Sequence, residues 1–214
     1  MSTSFPLPEW QSRAASSMKD VLTEDEWMEI EDVVALTGDR LPEWLQRLGI
    51  PHSWHAVALP ANVEMPMARV AVYGKRDEGG SEAAETICVF GCTGWPSFSD
   101  VLEKSAGTLR ALGTAHIVTK VLPVSPRRWT AAVRSTGIAL IGSRPVHGPR
   151  SHGTWVQQSS YVAGSDQPHA SRLIVHSLFV ATECRARLSQ DINRLSDAVY
   201  RGFVAALIDG DGGS

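Results

Sequence analysis

The C-terminal stretch, residues 128–207, constrains the fold most, because it predicts consecutive strands followed by one long amphipathic helix. Four segments bounded by Gly, Pro or Ser clusters predict strands, at 128–134, 138–142, 154–162 and 172–182. The first two are typical of a hairpin that turns through Ser135, Thr136 and Gly137. The predicted helix, 185–207, spaces its apolar residues by three or four: Leu188, Ile192, Leu195, Val199, Phe203 and Leu207. Such a helix must bury its apolar side, and the preceding sheet is the nearest surface.

Upstream, residues 51–127 alternate between short predicted strands and one predicted helix. Ser97 can cap this helix, 97–112, with Asp100 in its first turn. Charged and glycine-containing residues at 75–85 predict a loop. The predicted strands lie at 54–59, 68–73, 86–90 and 116–124. We therefore expect one α+β domain over 51–208, with an antiparallel sheet sandwiched between helices, and a frayed tail at 209–214.

Residues 1–50 predict a helical arm attached to this domain. Thr23 and Glu26 form a capping box for a helix that would continue through Ile30, Val33 and Val34 to about Gly38. A third short helix is predicted over 41–48. The arm carries three tryptophans, which are expected to make its contacts: Trp10, Trp27 and Trp44. Tryptophan provides large apolar area in cores and at interfaces alike, so the arm either packs on its own domain or binds a partner.

Composition excludes several classes of function. A formal net charge of -3 gives no electrostatic reason to expect nucleic acid as a partner. No apolar run reaches the roughly 18 residues of a membrane span. The odd count of three cysteines, together with an N-terminus unlike a signal peptide, favours a reducing compartment, so we expect a cytoplasmic protein with envelope association as an alternative.

Motifs for chemistry are missing from the sequence. Cys88 and Cys92 do not have the further ligand spacing of a zinc site, and the chain has no nucleophile elbow and no phosphate loop. Histidines 147, 152, 169 and 176 are more typical of loops and of a hydrogen-bonded sheet position than of a metal site. We therefore expect no catalytic residue, no metal and no cofactor. The enzymatic alternative is a hydrolase that uses His176 with a nearby serine or cysteine.

Aromatic side chains on neighbouring predicted strands suggest a groove. Trp129, Trp155 and Tyr161, with His176 beside them, are candidates to line a surface for an apolar ligand or a partner segment. The other interpretation is that the aromatic residues form the core under the terminal helix.

Two segments resemble a known family. The stretch LFVATECRARLSQDINRLSDAVYRGFVAAL, in which Cys184 lies between a strand and the terminal helix, and the stretch SFSDVLEKSAGTLRAL resemble the PsbP-like fold, and most closely the actinobacterial LpqN-type proteins. The resemblance covers about residues 54–207. It implies an antiparallel sheet between helices, in a binding or assembly module without chemistry.

The leading expectation is therefore a non-enzymatic, actinobacterial protein that binds or assembles through protein–protein contacts, with a protein partner or with itself. A carrier of a small apolar ligand or lipid, held between sheet and helices, is the second alternative beside the hydrolase.

Overall fold

Eight antiparallel strands form one sheet in the computed structural model, which describes residues 30–58, 67–74, 81–95, 97–124, 129–140 and 153–209. The strands are β1 (Ile30–Ala35), β2 (Trp54–Ala56), β3 (Met67–Tyr73), β4 (Ala83–Gly94), β5 (Ala115–Val121), β6 (Thr130–Ala139), β7 (Thr154–Ala163) and β8 (Ser171–Ala181). Their order across the sheet is β2-β3-β4-β8-β7-β6-β5. β1 pairs with the end of β4 that β3 leaves open.

Helices cover both faces of this sheet. They are α1 (Glu43–Gln46), α2 (Phe98–Lys104), α3 (Gly107–Ala111) and α4 (Ser189–Asp209), with 3-10 turns at Gly38–Arg40 and Thr182–Cys184. Val101 of α2 and Leu109 of α3 pack on one face, whereas α4 packs on the other. The predicted α+β class, with a sheet sandwiched between helices, is confirmed.

α4 is held by the apolar residues that the sequence pattern singled out. All six are buried, and they join two clusters with side chains of β3, β4, β6, β7 and β8. Each such side chain contributes about 1.5–3 kcal/mol on burial. The helix begins at Ser189 rather than at 185, because the chain first turns off β8 through the Thr182–Cys184 turn, which leaves Leu188 just before the helix.

The predicted hairpin at Ser135–Gly137 is wrong, because β6 runs unbroken from Thr130 to Ala139. Gly137 has another role there. A Cβ atom at this position would overlap the Thr114 side chain, so the glycine lets the segment before β5 approach β6 closely. The predicted helix at 97–112 is likewise divided into α2 and α3 around Ser105 and Ala106.

The predicted helix through Ile30, Val33 and Val34 is also wrong where the structure describes it. These residues form β1, because β4 offers open main-chain groups between Phe90 and Gly94 and this pairing overrides the local helical pattern. The predicted helix over 41–48 is reduced to α1. Trp10 and Trp27 lie outside the described residues.

Trp44, the third tryptophan of the predicted arm, is a half-buried residue of α1 that contacts α4. It packs against the cluster that contains Val199 and Phe203. A Cβ atom at Gly202 would overlap the Trp44 ring, so that glycine provides the space for the contact. Residues 30–50 therefore contact the same sheet and the same terminal helix as the rest of the chain.

Candidate functional site

A row of polar side chains crosses the sheet face beneath α4. The strand register places Arg69 on β3, His176 on β8, Ser159 on β7 and Arg134 on β6 at the same level of the sheet. Glu85 lies on the same face of β4, two residues before Ile87, which is the β4 residue paired with His176. The row brings the fully buried side chains of Glu85, Ser159 and His176 close together. It is therefore a candidate reactive site among the described residues.

Glu85 is hydrogen-bonded to two residues of this row, Arg69 and His176. Its carboxylate accepts hydrogen bonds from Arg69 Nε at 2.9 Å and Arg69 Nη2 at 2.6 Å, and its Oε1 lies 3.0 Å from His176 Nε2. Burial alone would raise the pKa of Glu85, but the hydrogen bond and charge of His176, together with those of Arg69, outweigh burial and hold the pKa below its ordinary value. Glu85 is therefore a buried carboxylate anion that is fixed by two partners.

Glu85 lies beside His176 as the acid of a catalytic triad would, but no nucleophile among the described residues is hydrogen-bonded to His176. Its Nδ1 atom has no hydrogen-bond partner within the described parts of the chain. Ser159, which the register places beside it, accepts a hydrogen bond from Arg134 Nε at 3.1 Å instead. His176 and Ser159 are both fully buried under the terminal helix. The hydrogen bonds of Glu85 to Arg69 and His176 link three strands, β3, β4 and β8.

The four predicted groove residues do not share one surface. Trp155 and Tyr161 lie in the core beneath α4, where the Arg185 guanidinium lies 4.6 Å from the Trp155 ring centre and Phe203 packs 5.3 Å from Tyr161. His176 is buried on the same face. Trp129 lies apart from these three, because it directly precedes β6 and stacks on Trp95 at a centroid distance of 3.8 Å.

The stacked tryptophans close one end of the sheet. Trp129 has a φ of 64°, an uncommon conformation for a large side chain, and Gly164 donates its backbone N–H to the Trp129 carbonyl at 2.8 Å. A Cβ atom at Gly164 would lie 2.7 Å from the Cβ atoms of both Trp95 and Trp129. The β7–β8 turn is thereby packed directly against the pair.

The cysteines are buried free thiols. Burial raises the pKa of Cys88 to about 12, so this thiol stays protonated and unreactive at neutral pH. Burial also raises the pKa of Cys92, although the charge of Arg172 opposes that effect. Across the described residues, no group of three or more His, Cys, Asp or Glu side chains is arranged to hold a metal ion.

The polar row ends on the β5 side of the same sheet face in a strip that is exposed at Val118, Lys120 and Ile138 and half-buried at Arg134 and Thr136. We call it the edge surface and define it by Val118 and Lys120 of β5 and by Arg134, Thr136 and Ile138 of β6. The register pairs Val118 with Thr136 and Lys120 with Arg134. The exposed fractions of Val118 and Ile138 are 52% and 45%, which is high for branched aliphatic side chains in a sheet.

β5 ends the sheet, and none of the described strands pairs with its outer side. Val121 at the end of β5 and Leu140 just after β6 are also exposed, by 55% and 70%. Exposed aliphatic residues beside a strand edge that no described strand covers make this strip a candidate contact surface. Sequence reasoning predicted β5 as a strand, but its alternating pattern carries no sign of its position at the edge.

Comparison with known proteins shows a likeness of fold to solved structures. No family model and no curated protein matches the chain. The antiparallel sheet between helices is shared with the crystal structure of LpqN from Mycobacterium tuberculosis. LpqN is a protein involved in cell envelope biogenesis. The TM-score is 0.52 at 13% sequence identity, and the match covers 78% of this chain and 88% of that one. The resemblance to LpqN-type proteins is thus confirmed as a likeness of fold.

Proposed function

We propose that this chain is a non-enzymatic binding or assembly protein that acts through protein–protein contacts at the edge surface. The observation that carries the proposal is a contrast on one sheet face. The polar groups suited to chemistry are buried beneath α4, whereas the exposed Val118 and Ile138 lie beside an open strand edge. A partner that covered this strip would bury apolar area and satisfy the outer main-chain groups of β5.

The setting of this function is also a proposal. LpqN is a mycobacterial protein involved in cell envelope biogenesis, and that likeness supports an assembly role and an actinobacterial source for this chain. Three buried free cysteines suit a reducing compartment, which supports a cytoplasmic location. No helix in the described part of the chain is long and apolar enough to cross a membrane.

Removing the apolar side chains of the edge surface is expected to abolish partner binding while the fold is kept. In the double variant Val118→Ser and Ile138→Ser, both changes are at exposed positions, so the unfolding midpoint should move little. Partner capture from native extract, or self-association measured by light scattering, should fall at least about tenfold.

The matched control for this experiment is Ile208→Ser, which removes an aliphatic side chain that is 60% exposed on α4. This variant should bind as the wild type does. Unchanged binding by the double variant, or a selective loss in the Ile208→Ser control, would contradict the use of the edge surface.

We further propose that His176 performs no catalysis, since Ser159 is hydrogen-bonded to Arg134 and both His176 and Ser159 are buried. A fluorophosphonate, which labels activated serines, is expected to leave the intact protein unlabelled. Labelling of the wild type that disappears in both Ser159→Ala and His176→Ala would establish the hydrolase alternative instead, because Glu85 is already placed to orient the imidazole.

A further inference from the structure

We propose that the partner segment bound at the edge surface is an extended acidic–apolar stretch of another protein, added to β5 as a further strand. This inference rests on the proposed function and specifies the chemistry of the partner. It is carried by three features of β5 and β6: a main-chain edge that no described strand pairs with, two facing cations that have no carboxylate partner among the described residues, and aliphatic side chains next to them.

The open edge of β5 has a defined usable length. Its pairing with β6 is irregular between Ala115 and Val118, where His116 adopts a φ of 54°. Such a bulge bends the strand and interrupts regular pairing. Residues 118–121 pair regularly with β6, so their outward main-chain groups are presented in register for an added strand.

The cations of the edge surface indicate an acidic partner. Lys120 and Arg134 are directly opposite each other on neighbouring strands, an arrangement in which like charges are unfavourable. Neither β5 nor β6 contains an aspartate or glutamate, and no carboxylate among the described residues pairs with either cation. A carboxylate from a partner strand would lie next to Lys120 and relieve this repulsion.

The aliphatic residues set the sequence pattern of the partner. Val118 lies two positions before Lys120, so both side chains project from the same sheet face. An added strand that places an acidic side chain beside Lys120 would place the residue two positions away beside Val118. The matching segment therefore has an acidic and an apolar residue separated by one position.

A peptide fits these features better than an anionic lipid does. An anionic lipid head group would pair with Lys120 and Arg134, and its chain would cover Val118. The outer N–H and C=O groups of β5 would gain no new hydrogen-bond partner from the lipid. An extended chain satisfies all three features at once.

The test uses a fluorescent synthetic peptide with glutamate and valine at every second position in turn and threonine between them. A matched peptide has lysine in place of glutamate. Fluorescence anisotropy should show that the acidic peptide binds the full-length protein at least about fivefold more tightly than the lysine peptide does. Binding of the acidic peptide should weaken at high salt. A third peptide, N-methylated along one edge of its backbone, should bind poorly because it cannot form the strand ladder.

Charge reversal at Lys120→Glu should remove the preference for the acidic peptide. The fold should tolerate this change, because the new glutamate would lie opposite Arg134. Arg194→Glu, an equal change of charge on an exposed position of α4, should leave the preference intact.

Three results would overturn this inference. They are equal affinity for acidic and basic peptides, equal affinity for the N-methylated peptide, and saturable binding of dodecyl phosphate micelles at β5 with no binding of the acidic peptide. None of them decides the proposed function, which fails only if the Val118→Ser and Ile138→Ser variant keeps its native partner.

Discussion

Replacing Glu85 with alanine is expected to lower the free energy of unfolding by about 3–5 kcal/mol, the cost of breaking a buried ion pair from one side. The change removes the partner of both Arg69, whose side chain is only 14% exposed, and the fully buried His176. Urea denaturation followed by tryptophan fluorescence measures the loss. Glu82→Ala is the matched control, because its ion pair with Arg187 is exposed and should contribute little.

The same carboxylate should give the protein a characteristic acid sensitivity. The folded-state pKa of Glu85 lies below its ordinary value of 4.5, so its stabilising contribution is complete above that pH. The contribution is lost as the pH falls through the folded-state pKa. The stability difference between wild type and Glu85→Ala should therefore shrink as the solution is acidified. A difference independent of pH, or a variant no less stable than the Glu82→Ala control, would contradict the role of Glu85.

Phe203→Ala is expected to cost about 3–5 kcal/mol, because it removes a buried aromatic side chain that packs on Tyr161 and helps hold α4 to the sheet. Ile208→Ala, on the same helix but 60% exposed, should change the free energy of unfolding by less than about 0.5 kcal/mol. Similar losses for the two variants would mean that α4 is not anchored to the sheet through this side of the helix.

The part of the fold that depends on local pattern was predictable from the sequence. The regular apolar spacing predicts α4, and all six residues that this spacing selects are buried, five of them in α4 and Leu188 just before it. β7 and β8 follow from bounded runs with strand character, and Ser97 caps α2 as expected, since it accepts a hydrogen bond from the Asp100 N–H.

The part that depends on distant pairing was not predictable. β1 exists because β4 leaves main-chain groups open, and the local sequence of residues 30–35 has a helical spacing instead. Gly137 resembles a turn residue, and only the approach of Thr114 explains it. Tertiary contacts decide both cases against local preference.

The candidate sites illustrate the same limit. Glu85 is the last residue of the predicted loop at 75–85, and that prediction is wrong at its end, because Glu85 lies in β4 as a fully buried residue. Its partners Arg69 and His176 are distant in sequence, so only the register brings them together. The edge surface requires the order of all the strands, because an exposed Val118 has meaning only once β5 is known to end the sheet.

The most direct test of the central claim is hydrogen–deuterium exchange of the free protein and of the protein isolated with its native partner. In the free protein, the outward amides of residues 118–121 should exchange rapidly, because no described strand covers them. In the complex, protection should appear at these amides and on the adjoining part of β6. Protection confined to α4 or to the β7–β8 turn, with β5 unchanged, would contradict a function based on the edge surface.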